Sequence, residues 1–393
     1  MNIVHIINRF LPNIGGAELY VYNLSKKLVE LGHRVTVITT TSTKFRGAET
    51  RSLPKREVID GIEVIRARAY LNGPGLVFAP TLSRLIIDND ADIYNVHGFL
   101  SNISVEASII TKSFKGNPVV LTVHDITIAE NLRLYYPLWK FYFNFLGELL
   151  CKVVDVIIAQ NPQDASLLRS LVKDSDKVHI VPNGIDLNLF NKSKISSTDL
   201  EEFKKKFRVE NKYVLLFVGR IEKRKRIDLL LFALKLIVNE FGDNVALLAV
   251  GPDQGEKENL LKLSRLLGLE KNVIFAGQLD AHDLIKAYAI ADIFVSLSAQ
   301  EAFGLSILEA LAMEVPVITH RWKGISYICK DNSGCLLVNP FDFRALANNV
   351  VLLLRNEGYR RFLGTKGRSY VVENFSLEKM VKRILSIYRV LVK

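Results

Sequence analysis

Short apolar segments alternate along the chain with longer segments of helical period, and this alternation constrains the fold more than any other feature. Between the first two apolar segments, Leu24, Leu28 and Leu31 recur at the spacing of one helix face. The apolar segments are residues 3–7, 35–39, 119–123, 154–159, 213–218, 245–250, 273–275, 293–296 and 315–319. Apolar strands without polar alternation are typical of a parallel sheet that helices cover on both faces. The alternation therefore predicts an α/β fold.

The alternation is interrupted once, by a polar stretch at 191–198 and a short charged segment at 201–207. Because the strand pattern starts again at 213, we predict two doubly wound, Rossmann-like domains that face each other across a ligand-binding cleft. The predicted boundaries are 1–190 for the N-terminal domain, 191–208 for the linker, 209–370 for the C-terminal domain and 371–393 for a C-terminal helix.

The charge balance favours an anionic partner. Fifty-two basic residues against 41 acidic residues leave a net charge of +11, which suits a nucleic acid, a phosphorylated ligand or an acidic membrane surface. The three cysteines include no C-x-x-C pair, so a disulfide framework and a structural zinc site are disfavoured and a reducing compartment fits. Neither a membrane span nor a signal peptide is predicted, so we expect a cytoplasmic protein.

Cations follow the first strand of the second series. Gly219 and Arg220 come directly after that strand, and Lys225 lies five residues further on. An Arg fork and a Lys point charge at a strand end can clamp a diphosphate, although the charge run at 223–226 is also typical of a solvated loop. The Gly15-Gly16 pair after the first strand is, by itself, typical of an ordinary strand-to-helix turn.

Two glutamates bracket the start of a predicted helix near the end of the second series. Glu301 lies where the helix would begin, and Glu309 lies two turns inside it, about 12 Å further along the axis. The amides near Phe303–Leu305 would direct the positive end of the helix towards an anion, and ribose hydroxyls would satisfy Glu309 among its apolar neighbours. Taken singly, Glu301 also fits a helix-dipole carboxylate and Glu309 an exposed helix position.

Eight segments in order make the chain resemble the retaining glycosyltransferases of family 4, which have the GT-B fold. The segments are Gly15-Gly16-Ala17-Glu18, Val181-Pro182-Asn183-Gly184-Ile185-Asp186, Val218-Gly219-Arg220 with Lys225, Val250-Gly251-Pro252, 275–279, 289–295, the E-x7-E segment 301–309, and Pro316-Val317-Ile318-Thr319. The resemblance covers nearly the whole chain. It implies that the N-terminal domain lies on the acceptor side, that the C-terminal domain binds the nucleotide sugar, and that the C-terminal helix returns to the N-terminal domain.

The resemblance also implies roles for individual residues. Glu301 and His124 would be catalytic, with Glu301 on the donor sugar hydroxyls and His124 lining the sugar site. The implied donor-binding residues are Gly16, Arg220, Lys225, Phe303, Gly304, Leu305 and Glu309; Leu279 is a candidate base contact, and His97 and Asn183 are candidate cleft residues. Without the resemblance, both histidines would be interpreted as ordinary strand-end residues. No cofactor and no metal are expected, and Asp88, Asp90 and Asp92 are interpreted as part of a turn.

The implied reaction moves a hexose from a UDP- or GDP-linked sugar to a hydroxyl with retention of anomeric configuration, by front-face displacement. The acceptor would be a lipid-linked or glycan hydroxyl in surface polysaccharide, glycolipid or glycoprotein biosynthesis, with a soluble acceptor as the alternative. A Rossmann oxidoreductase should carry G-x-G-x-x-G, which is missing. A nucleic-acid-binding protein would suit the charge, but the sequence shows no recognised nucleic-acid-binding module and no basic stripe interleaved with aromatics beyond the single run at 223–226. A glycogen-type phosphorylase shares the fold, but this chain has no evident counterpart of the lysine that holds the phosphorylase cofactor.

Two departures from the family pattern and one aromatic segment complete the sequence evidence. Arg226 stands where the family usually has glycine. Lys323 replaces a family glycine and Tyr327 replaces a family glutamate, so neither Lys323 nor Tyr327 receives a sugar-binding role. Residues 131–150 are rich in Trp, Tyr and Phe with interspersed cations, which suits the headgroup layer of an anionic membrane. The alternative is a helix packed on the first domain. The membrane hypothesis predicts a peripheral enzyme on the cytoplasmic face.

Overall fold

The computed structural model describes residues 1–42, 53–73, 76–99, 101–124, 126, 142–299, 301, 303–322, 324–330 and 333–393. The strands are β1 (Asn2–Ile6), β2 (Arg34–Thr40), β3 (Arg56–Ile59), β4 (Ile62–Ala67), β5 (Leu71–Gly73), β6 (Leu76–Phe78), β7 (Ile93–His97), β8 (Val119–Val123), β9 (Val156–Ala159), β10 (Val178–Ile180), β11 (Tyr213–Val218), β12 (Val245–Val250), β13 (Val273–Gly277), β14 (Ile293–Ser296), β15 (Val317–His320) and β16 (Cys335–Val338).

The α-helices are α1 (Gly16–Glu30), α2 (Leu82–Asp88), α3 (Asn102–Ile110), α4 (Glu148–Val153), α5 (Pro162–Arg169), α6 (Ser197–Phe207), α7 (Ile227–Phe241), α8 (Lys257–Leu266), α9 (Ala281–Ala289), α10 (Leu305–Ala312), α11 (Ile325–Ile328), α12 (Phe343–Arg355), α13 (Glu357–Asn374) and α14 (Leu377–Leu391). Short π-helical segments at Thr111–Lys115 and Tyr142–Gly147 follow α3 and precede α4.

The chain forms two compact units. The first unit is Met1–Asn183 with Leu377–Lys393, and the second is Gly184–Ser376. The sheet of the first unit has the order β10-β9-β8-β7-β1-β2-β4-β3, parallel except for the β3–β4 pair, and β5 and β6 form a separate hairpin. Its central strands are buried along their whole length, as in a sheet covered on both faces.

The C-terminal helix α14 packs in the core of the first unit. Met380, Ile384 and Tyr388 lie in the same buried cluster as Leu24 of α1. The Asn95 side-chain amide donates to the Tyr388 hydroxyl at 2.6 Å, so a polar group in the buried strand β7 finds its partner on α14. Burying an amide without a partner would cost about 1–3 kcal/mol, and this bond therefore helps to fix α14 on the sheet.

The sheet of the second unit is entirely parallel, with the order β13-β12-β11-β14-β15-β16. Counted from β11, this is the 3-2-1-4-5-6 order of a doubly wound sheet, and the order reverses between β11 and β14. Residues 191–208, for which a linker is predicted, belong to this unit, because α6 buries Phe203 in its core. The prediction of an α/β protein with two doubly wound, Rossmann-like domains is confirmed.

The cysteines differ from the sequence expectation, which disfavoured disulfides. Cys329 and Cys335 are joined, with their Cα atoms 5.5 Å apart, whereas Cys151 is free and buried. The bridge forms because α11 ends at Ile328 and the chain then returns to start β16 beside β15. Most of the aromatic segment, 131–141, lies outside the described residues. Within the part of the chain that the structure describes, every helix is too short or too polar to span a lipid bilayer.

Candidate functional site

The carboxyl edge of the second sheet brings the predicted cations and Glu301 together. Gly219 and Arg220 follow β11, and Glu301 follows β14, the neighbouring strand at which the order reverses. The Ala299 amide donates to the Arg224 carbonyl at 2.8 Å, which ties the two loops to each other. Such a reversal point opens a crevice at the strand ends, where ligands of doubly wound sheets bind.

Gly251, which follows β12, lets this edge pack closely. Its φ is +141°, and a Cβ at this position would lie 2.0 Å from the carbonyl oxygen of Gly219. A larger residue would have to displace the backbone in front of Arg220. The close approach of the Gly219 backbone therefore explains why the Val250-Gly251-Pro252 segment has a glycine at its centre.

Lys225 and Glu301 form the shortest of the ion pairs at this edge. Lys225 Nζ lies 2.6 Å from Glu301 Oε2, and the side chains are only 12% and 21% exposed. Arg220 pairs with Glu222 at 3.3 Å, and Arg224 pairs with the same carboxylate at 2.8 Å. The edge thus holds several cations whose present partners are carboxylates, an arrangement that a diphosphate can enter by exchanging partners.

The family departure at Arg226 has a compensating contact. Arg226 has φ +51°, the left-handed conformation that a glycine adopts without strain. Its guanidinium makes a two-pronged contact with Asp228, with Nη2 3.0 Å from Oδ2, and lies 4.8 Å from the centre of the Phe341 ring. These contacts stabilise arginine at a position where the backbone alone would favour glycine.

The helix predicted to begin at Glu301 is α10, which begins only at Leu305, because Gly304 turns the chain before it with φ +90°. A Cβ on Gly304 would approach Ile307 Cδ1 to 3.2 Å and Glu301 Cγ to 3.7 Å. Phe303 is buried and meets Phe375 edge-on at 6.1 Å, so it anchors the turn in the core. Leu305, the first helical residue, is half-buried. The turn thus holds the positive end of α10 beside Glu301.

Glu309 lies in the middle of α10 and is half-buried. The Tyr288 hydroxyl donates to Glu309 Oε2 at 2.6 Å. Burial raises the pKa of Glu309, and the hydrogen bond from Tyr288 opposes that shift. Tyr288 was missed by the sequence analysis, because it lies on α9 and no spacing in the sequence links it to α10. Leu279, the candidate base contact, is half-buried and packs against the same core.

The predicted histidines of the first unit are part of a hydrogen-bonded row across its sheet. His5 Nδ1 lies 2.9 Å from His97 Nε2, and His97 Nδ1 lies 3.1 Å from His124 Nε2. Gln160 Nε2 donates to His124 Nδ1 at 2.7 Å. The four side chains come from β1, the end of β7, and the residues that follow β8 and β9, which are consecutive strands of the sheet. We call these residues the histidine row.

The row is neutral. Burial lowers the pKa of His5 and of His124 to about 3, and burial with the neighbouring imidazoles lowers the pKa of His97 well below its usual value. His5 and Gln160 were missed by the sequence analysis. A histidine inside the buried apolar strand β1 was the available signal for His5, because such a side chain needs a buried partner.

The other two predicted residues of the first unit lie at separate strand ends. Gly16 starts α1, and Glu18 in its first turn is buried and pairs with Arg9 at 3.3 Å. A Cβ on Gly15 would meet the Glu18 carboxylate at 2.4 Å, so a larger residue here would have to shift the end of the Glu18 side chain. Asn183 is 4% exposed, and its Oδ1 has no hydrogen-bond partner among the described residues. A buried acceptor of this kind is suited to a ligand donor.

The described residues offer no cluster of three or more His, Cys, Asp or Glu side chains that could hold a metal ion. All three alternating aspartates are engaged within the protein, and Asp88 Oδ2 lies 3.5 Å from Arg84 Nε. Asp90 lies 2.5 Å from Lys115 Nζ, and Asp92 accepts from the Asn2 amide at 2.7 Å. Of the family departures, Tyr327 meets Phe375 edge-on at 6.0 Å, and Lys323 lies outside the described residues.

Known proteins match both units. A profile of Glycosyltransferase Family 4 matches residues 14–189, and a profile of Glycosyl transferases group 1 matches residues 199–370. The chain is 26% identical over 383 residues to the N-acetyl-alpha-D-glucosaminyl L-malate synthase of Bacillus anthracis, across 96% of this chain and 94% of that protein. It is 30% identical over 263 residues to the capsular polysaccharide biosynthesis glycosyltransferase CapM of Staphylococcus aureus, across 65% of this chain and 67% of that one.

The fold comparison agrees with the sequence comparison. The crystal structure of Anabaena HepE in complex with UDP-glucose matches with a TM-score of 0.78 at 19% identity, over 100% of both chains. The fold is therefore that of the GT-B glycosyltransferases. The chain belongs to the family-4 glycosyltransferases, as its sequence motifs predicted.

Proposed function

We propose that this glycosyltransferase moves a hexose from a nucleotide diphosphate sugar to a hydroxyl group with retention of anomeric configuration. The observation that carries the proposal is the set of charges at the β11–β14 reversal point, where Lys225 lies 2.6 Å from Glu301 beside the N-terminus of α10. The UDP-glucose named in the HepE structure supports a UDP-sugar donor, and a GDP-linked donor is the alternative. Mannose, glucose, galactose and N-acetylhexosamine are the candidate sugars.

In the proposed complex, Arg220 and Lys225 bind the diphosphate, and the amides at Gly304 and Leu305 add the positive end of α10. Lys225 then exchanges its Glu301 contact for a phosphate oxygen, which leaves the Glu301 carboxylate for the hydroxyls of the donor sugar. The cations stabilise the charge that develops on the leaving diphosphate, as a divalent metal does elsewhere. Catalysis would therefore need no metal and no cofactor.

Glu309 would bind the ribose hydroxyls, held in place by Tyr288, and Leu279 would contact the base. Gly16, His97, His124 and Asn183 of the first unit would serve the sugar and acceptor side. The family resemblance supplies no positioned nucleophile, which favours front-face displacement, in which the acceptor hydroxyl attacks from the side that the diphosphate leaves. The residues then act by positioning and by electrostatic stabilisation.

A panel of UDP- and GDP-linked hexoses tests this function. The wild type is expected to release nucleotide diphosphate slowly from one or a few of them without acceptor, while Lys225→Ala releases at least about tenfold less. Arg224→Ala is the matched control, because Arg224 lies in the same loop and pairs with Glu222. No release from any donor, or equal release by both variants, would contradict the donor site.

For the acceptor, we propose a lipid-linked or glycan hydroxyl, reached by peripheral attachment to the cytoplasmic face of a membrane. Two observations support this: the net charge of +11, and two aromatic side chains of the first unit, Phe114 and Phe145, which are 66% and 64% exposed. Aromatic side chains and basic charge together favour an anionic headgroup layer. The polysaccharide role in the CapM name agrees with a surface-glycan acceptor.

Sedimentation with vesicles tests the membrane proposal. The wild type should pellet with anionic vesicles at low salt and less at high salt, because surface charge is screened. Phe114→Ser with Phe145→Ser should pellet less, whereas Phe362→Ser, which changes a 50% exposed aromatic of the second unit, should behave like the wild type. If the wild type stays in the supernatant, a soluble sugar or glycoside becomes the preferred acceptor.

A further inference from the structure

The histidine row has a single direction. Both imidazole–imidazole bonds join Nδ1 of one ring to Nε2 of the next, His5 to His97 and His97 to His124. A neutral imidazole has one N–H donor and one acceptor nitrogen. Once one ring donates from Nε2, its neighbour must accept at Nδ1 and donate from Nε2 in turn. All three rings must therefore share the same tautomer.

Gln160 decides which tautomer that is. Its side-chain N–H donates to His124 Nδ1 at 2.7 Å, so His124 Nδ1 accepts and His124 carries its proton on Nε2. The same assignment passes to His97 and then to His5. At the far end, His5 Nε2 is buried and has no partner among the described residues, so only Gln160 fixes the direction of the row.

The row also fixes the orientation of the His124 ring. Both ring nitrogens are engaged, the ring stacks on His97 at 5.3 Å with an 18° interplanar angle, and the Tyr20 ring meets it edge-on at 4.9 Å. Turning the ring would break two hydrogen bonds. In this arrangement His124 offers a fixed surface to a ligand, and no ring nitrogen is left to take a proton from an acceptor.

We propose that Gln160 is a positioning residue of this glycosyltransferase, which sets the tautomer of the histidine row and thereby holds His124 in place for transfer. The proposal rests on the proposed function of His124 at the sugar and acceptor side. It adds two residues, Gln160 and His5, for which the sequence motifs give no role, and it makes His124 a neutral contact and not a general base.

Nitrogen NMR of protein labelled with 15N-histidine reads the tautomers directly. Signals of the row are those that persist when His33, His179, His282 and His320 are substituted one at a time. The wild type should show the Nε2–H pattern at all three remaining rings. In Gln160→Met, which has similar length and no donor, the three rings should move together towards a mixture of tautomers. Gln163→Met makes the same change at an exposed position three residues later and should leave all signals unchanged.

Kinetics then test the positioning. Gln160→Met should lower kcat for transfer about 10- to 100-fold, the size expected when a contact is slightly misplaced, while the donor Kd changes less than about twofold. Should Gln160→Met fail to fold, Gln160→Glu replaces it: at pH 8 its carboxylate accepts from His124 and should reverse all three rings to Nδ1–H.

Three results would overturn the proposal: different tautomers among the rings of the wild type, unchanged nitrogen signals in the Gln160 variants, or changed signals with unchanged kcat. The nitrogen signals need no substrate. They therefore decide the tautomer assignment even if the wild type transfers no sugar. An absence of sugar transfer by the wild type would overturn the proposed function and not the tautomer assignment.

Discussion

The carboxyl edges of the two sheets occupy the same topological position and carry opposite chemistry. In the second unit, where the strand order reverses between β11 and β14, the edge holds charged groups in contact, with Lys225 2.6 Å from Glu301. In the first unit, where the order reverses between β1 and β7, it holds neutral imidazoles in a hydrogen-bonded row, with His97 3.1 Å from His124.

The difference teaches that topology sets the place of a site and side chains set its chemistry. A partly exposed ion pair can exchange one partner for a phosphate at little cost, because charge is present before and after the exchange. The buried row cannot accept charge in the same way, since burial lowers the histidine pKa values far below neutrality. We therefore expect the second edge to bind the anionic donor and the first to orient neutral groups.

Replacing Glu301 should have the largest effect. Glu301→Gln is expected to lower kcat by about 100-fold or more, because its carboxylate would contact the sugar beside the reacting carbon. The donor Kd should not rise, because the substitution removes the carboxylate that competes with the diphosphate for Lys225. Single-turnover rates and donor titrations measure the two quantities separately. A raised KM at constant kcat would show that Glu301 provides only uniform binding.

Removing the proposed ribose contact should have the next largest effect, which is on donor affinity. Glu309→Ala is expected to weaken donor binding about 10- to 150-fold, the value of one charge-assisted hydrogen bond of about 1.5–3 kcal/mol. Tyr288→Phe should weaken it less, because the carboxylate remains but loses its hydrogen bond. The exposed Glu258 serves as control: Glu258→Ala should bind like the wild type. Wild-type affinity in Glu309→Ala would remove Glu309 from the site.

Acid should destabilise the first unit more than the second. The row's three histidines have folded-state pKa values below the usual 6.5, so their stabilising contribution is present above about pH 6.5 and is lost as pH falls towards 3. For each proton that is taken up on unfolding, the free energy of unfolding falls by about 1.4 kcal/mol for every unit by which the pH is lowered. In the second unit, burial lowers the pKa of one described histidine, His320.

Hydrogen exchange at pH 7 and pH 5, corrected for intrinsic rates, measures this difference. The opening free energy of peptides from β1 and β7 should fall by about 2 kcal/mol or more, and that of peptides from β11 and β12 should fall less. An equal fall in the two units would contradict the neutral row.

Chelation should have the smallest effect. If Arg220, Lys225 and the α10 N-terminus carry the diphosphate charge, activity should be unchanged in excess EDTA. Loss of activity with EDTA, restored by magnesium or manganese, would show that the charged edge needs a metal. Arg220, Lys225 and the α10 N-terminus would then not be sufficient to stabilise the diphosphate charge.

The fold could be predicted because the pattern that identifies each strand lies within a short segment of the sequence. Buried parallel strands such as Val245–Val250 must be apolar along their whole length, and that pattern is visible in the sequence. The Cys329–Cys335 bridge could not be predicted, because it depends on how the chain turns after α11. The same holds for residues 191–208, whose polar composition suggested a linker although α6 buries Phe203 and packs Leu200 and Phe207 against the core of the second unit.

The site could be predicted only where motif and strand end coincide. Arg220, Lys225 and Glu301 follow strands that the sequence reveals, so their proximity follows from sheet order. Tyr288 and Gln160 come from parts of the chain distant in sequence from Glu309 and His124, and their hydrogen bonds with these residues exist only after folding. No spacing pattern in the sequence links the partners, which is why both residues were missed.

Calorimetric titration with UDP and GDP tests the central claim most directly, that the nucleotide diphosphate binds at the charged edge of the second unit and not at the histidine row. Arg220→Ala should weaken binding of the preferred nucleotide about 10- to 150-fold, whereas Gln160→Met should bind it with wild-type affinity. Wild-type affinity in Arg220→Ala, or an equal loss in Gln160→Met, would contradict the account.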